Sequence, residues 1–397
     1  MRVQAPKWHR LLAAAAITFA VPSPALATND AVPTEAPQPA RWTNSAVREL
    51  IAVIESSSEE GLRPADYNLA ALQHEIEAGT GPALDSLANQ AAMLLAHDYF
   101  LGRVGDRSEM QWMIERSPYE ASALPARLNE AIASGKIREF YANLLPSDPR
   151  YQALRAAYAD ATDGAVRDRM RVNMERWRWM PRSLPADYLF VNVPSYRLQL
   201  FQGGLVSASY DVVVGAKATP TPQLVSPTGS LVVNPAWYVP PSIVRSSRLR
   251  SGREGYVWRM ADGERRLVQL PGPRNSLGRI KFNLENDQAI FLHDTNAKGL
   301  FRRNDRALSH GCIRVKDIDQ LAAALMNQGG DESSLEEALA SRQTATLVLP
   351  QTWPVYIVYF TADVDEAGVV ATYADPYGYD AKVLSALEGV PVEMGSS

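Results

Sequence analysis

Apolar residues recur at helical spacing through the first half of the chain and alternate with polar ones through much of the second. Val47, Leu50, Ile51 and Ile54 share one helical face, as do Leu87, Ala91, Leu94 and Tyr99 with one slip in phase. A third stripe joins Val166, Met170, Met174 and Trp177, and Pro181 ends it. Ser117-Pro118 and Pro146 to Pro149 read as breaks between helices. Beyond Pro181 the period drops to two. Tyr188 to Val193 and Arg197 to Phe201 alternate in polarity, Gly203-Gly204 turns the chain, and Ser207 to Val214 returns as the second arm of a hairpin. Further strands are predicted at Leu231 to Asn234, Arg279 to Asn283, Ala289 to His293, Ala345 to Leu349 and Val355 to Phe360. One helix is predicted from about Asp317 to Met326. The fold class is therefore α+β, a helical region followed by a mostly β region, and a length of 397 residues suits two domains.

The N-terminus changes the picture of where the chain works. Arg2, Lys7 and Arg10 precede an apolar run from Leu11 to about Val21, and Ala25-Leu26-Ala27 follows, the pattern of a cleaved export signal spanning residues 1–27. That run is about half of the roughly 20 residues a bilayer span requires. Residues 28–45, rich in Pro, Ala and Thr, read as a linker. Removing residues 1–27 takes away three basic side chains and no acidic ones, moving the formal charge from -4 to -7. An acidic mature chain disfavours nucleic acid as a partner. The composition, 46% hydrophobic, is that of a globular protein. With one cysteine, Cys312, there is no intramolecular disulfide, and a lone thiol in an exported protein is either an inert buried residue or a reactive one.

Several catalytic patterns are missing: no Gly-x-Ser-x-Gly, no His-Glu-x-x-His, no Cys-x-x-Cys and no glycine-rich phosphate loop. What remains is SHGCIRV, residues 309 to 315, and five histidines. His9 lies in the export signal, and His74 and His97 in the helical region, where packing or surface roles are expected. His293 and His310 share the β region with Cys312. A thiol attacks at neutral pH only when a base or a positive charge favours its thiolate. His293 ends the predicted strand Ala289 to His293, which could hold its ring beside Cys312. Gly311 lets the backbone approach a substrate, and the amides of Gly311 and Cys312 could face an oxyanion. Between residues 293 and 316 stand six basic side chains (Lys298, Arg302, Arg303, Arg306, Arg314, Lys316) against Asp294 and Asp305, a surplus suited to a carboxylate-bearing substrate. A buried packing role for Cys312 stays equally open on the residues alone. A zinc site from His293, His310 and Cys312 would lack the four ligands of a structural site, so no metal is expected.

The segment from His293 to Val315 resembles the signature of the YkuD-type L,D-transpeptidases: a His, a spacer, then Ser/Thr-His-Gly-Cys, an apolar residue and Asn or Arg. NMERWRWMP (173 to 181), YDVVVGAKATPTP (210 to 222), NPAWYVPPSI (234 to 243), LGRIKF (277 to 282) and the tail from Trp353 to Leu384 are similar to the larger YcbB-like branch. The resemblance implies a helical scaffold domain over 46–181 and a catalytic domain over 182–361, β-sandwich-like with a helix after the Cys motif. A short lid would span 242–271, and an extension over 362–397 would pack on the scaffold. It implies Cys312 as nucleophile, His293 as general base, and His310, Ser309 and Gly311 around the site. Asp294 would fix the imidazole through its side chain or its backbone. Arg314, where relatives carry Asn, would orient the loop or bind a carboxylate, and Trp237 would pack on the substrate channel or serve structure alone. The implied reaction forms a Cys thioester with a peptidoglycan stem peptide and passes it to a neighbouring stem, 3→3, with 1→3 linkage, hydrolysis or lipoprotein anchoring as alternatives. It needs no cofactor, is open to inhibition by β-lactams of the carbapenem type, and belongs in a Gram-negative periplasm. Two departures from the branch stand out: residues 124 to 165 are too short for its inserted peptidoglycan-binding module, and the lid is short and carries Arg245, Arg248, Arg250 and Arg253.

Overall fold

The computed structural model describes residues 41–389 apart from 117, 262, 328–331 and 366, so the export signal and most of the linker lie outside the described residues. Eight helices come first: α1 (Asn44–Ser56), α2 (Leu69–Ala78), α3 (Pro82–Leu101), α4 (Pro118–Ser122), α5 (Leu124–Ser134), α6 (Ile137–Ala142), α7 (Pro149–Asp160) and α8 (Gly164–Trp179). Helix α1 starts inside the predicted linker because the Thr43 hydroxyl caps it, accepting from the Ala46 amide at 3.2 Å. In α3 the slip in phase resolves towards Leu84, Ala88, Ala91, Leu95 and Tyr99, all buried, while Leu94 is exposed.

Helix α8 departs from its predicted single stripe. Met170, Met174 and Trp177 are buried and Val166 is exposed, but every residue from Val172 to Trp179 is buried, including Glu175, Arg176 and Arg178. A helix buried on all sides is a central one. Its charges are met internally: Arg178 reaches Glu175 at 2.9 Å, and Arg176 reaches Asp380 at 2.7 Å. Trp177 stacks on Phe360 with ring centres 5.0 Å apart, and the Arg150 guanidinium of α7 lies 4.6 Å from the Trp177 ring and 4.7 Å from that of Phe190. Helices and strands thus share one apolar cluster.

The rest of the chain supplies β1 (Tyr188–Asn192), β2 (Arg197–Gln202), β3 (Leu205–Gly215), β4 (Leu224–Val233), β5 (Trp237–Tyr238), α9 (Pro241–Ser246), β6 (Tyr256–Ala261), β7 (Glu264–Gln269), β8 (Ile280–Asn283), β9 (Leu292–His293), β10 (Ala307–Ser309), β11 (Ile313–Val315), α10 (Ile318–Met326) and α11 (Glu332–Ser341). It ends with β12 (Ala345–Val358), β13 (Ala362–Val364), β14 (Val370–Thr372) and α12 (Tyr379–Glu388). A nine-stranded sheet runs β10-β3-β11-β9-β8-β4-β12-β1-β2, and β2 pairs back onto β3, closing it on itself. The α+β class stands, with a helical region leading into a mostly β one.

Three strand expectations change. The two predicted strands at Ala345 and Val355 are one, β12, whose register shifts between Val348 and Trp353; Pro350 and Pro354 had split the pattern. Leu231 to Asn234 is only the end of β4. The predicted strand Ala289 to His293 shrinks to Leu292–His293, because Ala289 takes φ +54° and Asn286 folds the preceding loop, accepting from the Gln288 and Ile290 amides at 3.1 Å.

The segment expected to form a lid has a core of its own. Strands β5, β7 and β6 form a separate antiparallel sheet, with Val239, Tyr256 and Leu267 buried at its centre and Trp237 and Ile243 packed against them. It begins at Trp237, ahead of the predicted 242, and Arg245, Arg248, Arg250 and Arg253 are exposed on it. Residues 124 to 165 are filled by α5, α6, α7 and the start of α8.

Candidate active site

Register on three short strands assembles the site. Arg314 of β11 is paired with His293 of β9, which is paired on its other side with Lys281 of β8. Side chains alternate across a sheet, so Phe291 and Cys312, one alternation away, share that face. Leu292, Ile313 and Phe282 point to the other face and are completely buried. The apolar partners thereby fix the register that brings Cys312, His293, Arg314 and Lys281 together, since a one-residue slip would bury the charges.

The cysteine sits on a turn held from below. The Ser309 hydroxyl donates to the Cys312 carbonyl at 2.6 Å and accepts from the Gly311 amide at 3.1 Å. Gly311 has φ +115°, a conformation open to glycine. Thr219 Oγ1 donates to the Ser309 carbonyl at 3.0 Å. Thr221 Oγ1 donates to the Gly311 carbonyl at 2.6 Å and accepts from the Gly215 amide at 2.8 Å. Tyr377 OH, from the C-terminal extension, donates to the Gly215 carbonyl at 2.7 Å and accepts from the Thr221 amide at 3.1 Å.

Burial dominates the protonation of both candidate groups. It pushes the Cys312 thiol up to about 11, opposed by the Phe291 backbone and by the positive charges of Lys281 and Arg314. It pushes His293 down to about 3; Arg314 and Lys281 add to this, and the Asp294 backbone works against it. His293 Nδ1 and Arg314 Nε are buried without a hydrogen-bond partner among the described residues. Burial also lowers Lys281 and Arg314, and Cys312 counters both shifts. Lys281 Nζ lies 4.4 Å above the Phe291 ring, which in turn lies 5.3 Å from the His293 ring.

Of the expected site residues, Cys312, His293, Arg314 and Gly311 converge. Asp294 turns its carboxylate away from the imidazole. It accepts from the Arg279 amide at 2.9 Å and pairs with Lys298, in space open because Gly278 has no side chain. Ser309 buttresses the turn, and His310 is exposed. Trp237 packs on the apolar cluster of the three-stranded sheet, its ring 6.5 Å from that of Tyr256. Half of the six basic side chains of residues 293–316 are in ion pairs: Lys298 with Asp294, and Arg306 and Lys316 with Asp211 at 2.9 and 3.3 Å. Lys281, Thr221 and Tyr377 were not singled out from the sequence. For Lys281 a signal existed, since it alternates with the core residues Ile280 and Phe282. Among the described residues no group of three or more His, Cys, Asp or Glu side chains is disposed to hold a metal ion.

Residues 186–357 match the YkuD family, the L,D-transpeptidase catalytic domain, and residues 37–157 match the Scaffold domain family. The chain is 27% identical over 377 residues to the "Putative L,D-transpeptidase" of Haemophilus influenzae, covering 86% of this chain and 76% of that one. Among solved structures, the catalytic domain from E. faecium L,D-transpeptidase acylated by ertapenem aligns with 44% of this chain and 99% of its own at 15% identity and a TM-score of 0.22. Mycobacterium tuberculosis L,D-transpeptidase 1 aligns with 44% and 61% at 11% identity and a TM-score of 0.19. Residues 186–357 thus align with the model of the L,D-transpeptidase catalytic domain, and residues 37–157 ahead of them with that of a scaffold domain. Helix α8 lies between the two matched segments.

Proposed function

We propose that this protein is a peptidoglycan L,D-transpeptidase of the Gram-negative periplasm, in the YcbB-like branch without the inserted module, forming 3→3 cross-links through a thioester on Cys312. The observation that carries the reading is the shared sheet face of Cys312, His293, Arg314 and Lys281, within the segment that matches the catalytic domain. A cationic pair beside a thiol and an imidazole suits a donor with a carboxylate on each side of the reacting amide, one on the side chain of its diamino residue and one on the leaving D-Ala.

The steps balance with these side chains alone. Cys312 sulfur bonds to the carbonyl carbon of stem residue 3 as its proton passes to His293. Because the Gly311 amide is engaged by Ser309, the Cys312 amide is the turn's donor for the oxyanion. Collapse breaks the bond to the terminal D-Ala, whose amine leaves with the proton from His293. The amine of a neighbouring stem then attacks the thioester, gives its proton to His293, and the thiol is restored. Carbapenems would acylate the same sulfur. Incubation with disaccharide tetrapeptides, followed by fragmentation of the dimers, tests the reading. Dimers joined between two third residues, with one D-Ala lost from the donor, are expected. Dimers joined through a first residue, or tripeptide monomers alone, would overturn it.

A further inference from the structure

A second cleft, of about 510 Å³, opens against the catalytic turn from the scaffold side, a size usual for small-ligand sites. Its near wall includes Ile290, His310 and Gly311. These are chain neighbours of Ala289 and Cys312, whose carbonyl oxygen and sulfur lie 3.5 Å apart. Its far wall is Gln111, Trp112 and Met113 of the scaffold, and Gln288 reaches in from the loop before β9.

The far wall is fixed to the catalytic half. Met113 N donates to the Gln223 carbonyl at 2.7 Å, Gln223 N to the Gln111 carbonyl at 2.9 Å, and Gln223 Nε2 to the Met110 carbonyl at 2.8 Å. Trp112 thus bridges alongside the chain entering β4. The scaffold lends a rigid wall to a space one residue from the nucleophile.

Chemistry separates this cleft from the sheet face beside Cys312. Lys281 and Arg314 stand on that face, whereas among the described residues no Asp, Glu, Lys or Arg lines the cleft. A carboxylate or an ammonium entering it would lose water and find no countercharge. Its lining instead offers side-chain amides at Gln111 and Gln288, each able to donate and accept, beside the apolar surfaces of Trp112, Met113 and Ile290. We propose that the cleft binds an uncharged N-acetylated amino sugar of the glycan strand, while the charged stem runs to Arg314 and Lys281. The acetamide and hydroxyl groups pair with the two glutamines, and the carbon faces of the ring lie against Trp112 and Met113. The proposal rests on the transpeptidase reading, since it presumes a peptidoglycan donor.

The test compares two donors, a free stem tetrapeptide and the same stem carrying its disaccharide. The readout is the rate of thioester formation on Cys312 per unit donor concentration, followed by intact mass. The native protein is expected to favour the disaccharide-bearing donor by about tenfold, equivalent to ~1.4 kcal/mol. Met113→Glu and Gln288→Ala are expected to bring that ratio down towards unity. Equal rates for the two donors in the native protein would overturn the sugar site alone. So would variants in which both rates fall by the same factor, since a folding defect has that signature. No thioester with either donor would overturn the transpeptidase reading, and the sugar site with it.

Discussion

A thiol raised to about 11 and an imidazole lowered to about 3 are both uncharged near neutral pH, so in the proposed reaction His293 would take the Cys312 proton during attack and not before it. Lys281 and Arg314 favour the thiolate and disfavour the imidazolium, so their effects on proton transfer within the pair oppose each other. On the thiol alone they act in one direction. Alkylation of Cys312 by iodoacetamide should therefore accelerate as pH rises towards about 11. Arg314→Met removes a charge that lowers the thiol and that a guanidinium keeps in this pH range, so its profile should shift further up, and a downward shift would contradict this assignment. Cys312 and His293 stood out in the sequence as candidates because so few side chains could perform the chemistry, and the structure sets them on one sheet face. The placement of Asp294 did not, because its carboxylate occupies the space above Gly278, 16 residues away in the chain.

At the scale of elements, the catalytic turn depends on the loop after β3 more than on its own strands, which span three residues each. Thr221 Oγ1 satisfies the Gly215 amide and the Gly311 carbonyl together. Thr221→Val keeps the shape and leaves both groups without that partner, at a cost of about 1–3 kcal/mol. Denaturant unfolding should register that loss, and acylation of Cys312 by a carbapenem should slow with it, whereas unchanged stability and rate would contradict the supporting role. Long elements were readable from periodicity: α1, α3, α8, α10 and the β2–β3 hairpin all fall where the pattern indicated. Strands β9, β10 and β11 are too short to show a period, so the elements nearest the chemistry were the least visible. The all-round burial of α8 was also hidden, because Arg176 and Arg178 read as surface residues until Asp380 and Glu175 are brought to them.

Across the whole molecule, α8 and the C-terminal extension join the scaffold to the catalytic half. Arg176 is buried against Asp380 at the start of α12, and Tyr377 of the same extension reaches the catalytic turn. Asp380→Asn leaves the Arg176 charge without its counterion, a change worth about 3–5 kcal/mol. It should lower the melting temperature of the whole chain in a single transition, while a separate early transition of the helical half would contradict a shared core. The same unity explains why the scaffold can wall a cleft beside Cys312. The most direct test of the account is to supply a stem tetrapeptide without an acceptor and weigh the protein. The account predicts a tripeptide thioester located on Cys312, with one D-Ala released per adduct, and no adduct on Cys312→Ala. An adduct that persists in Cys312→Ala, or none on the native protein, would contradict it.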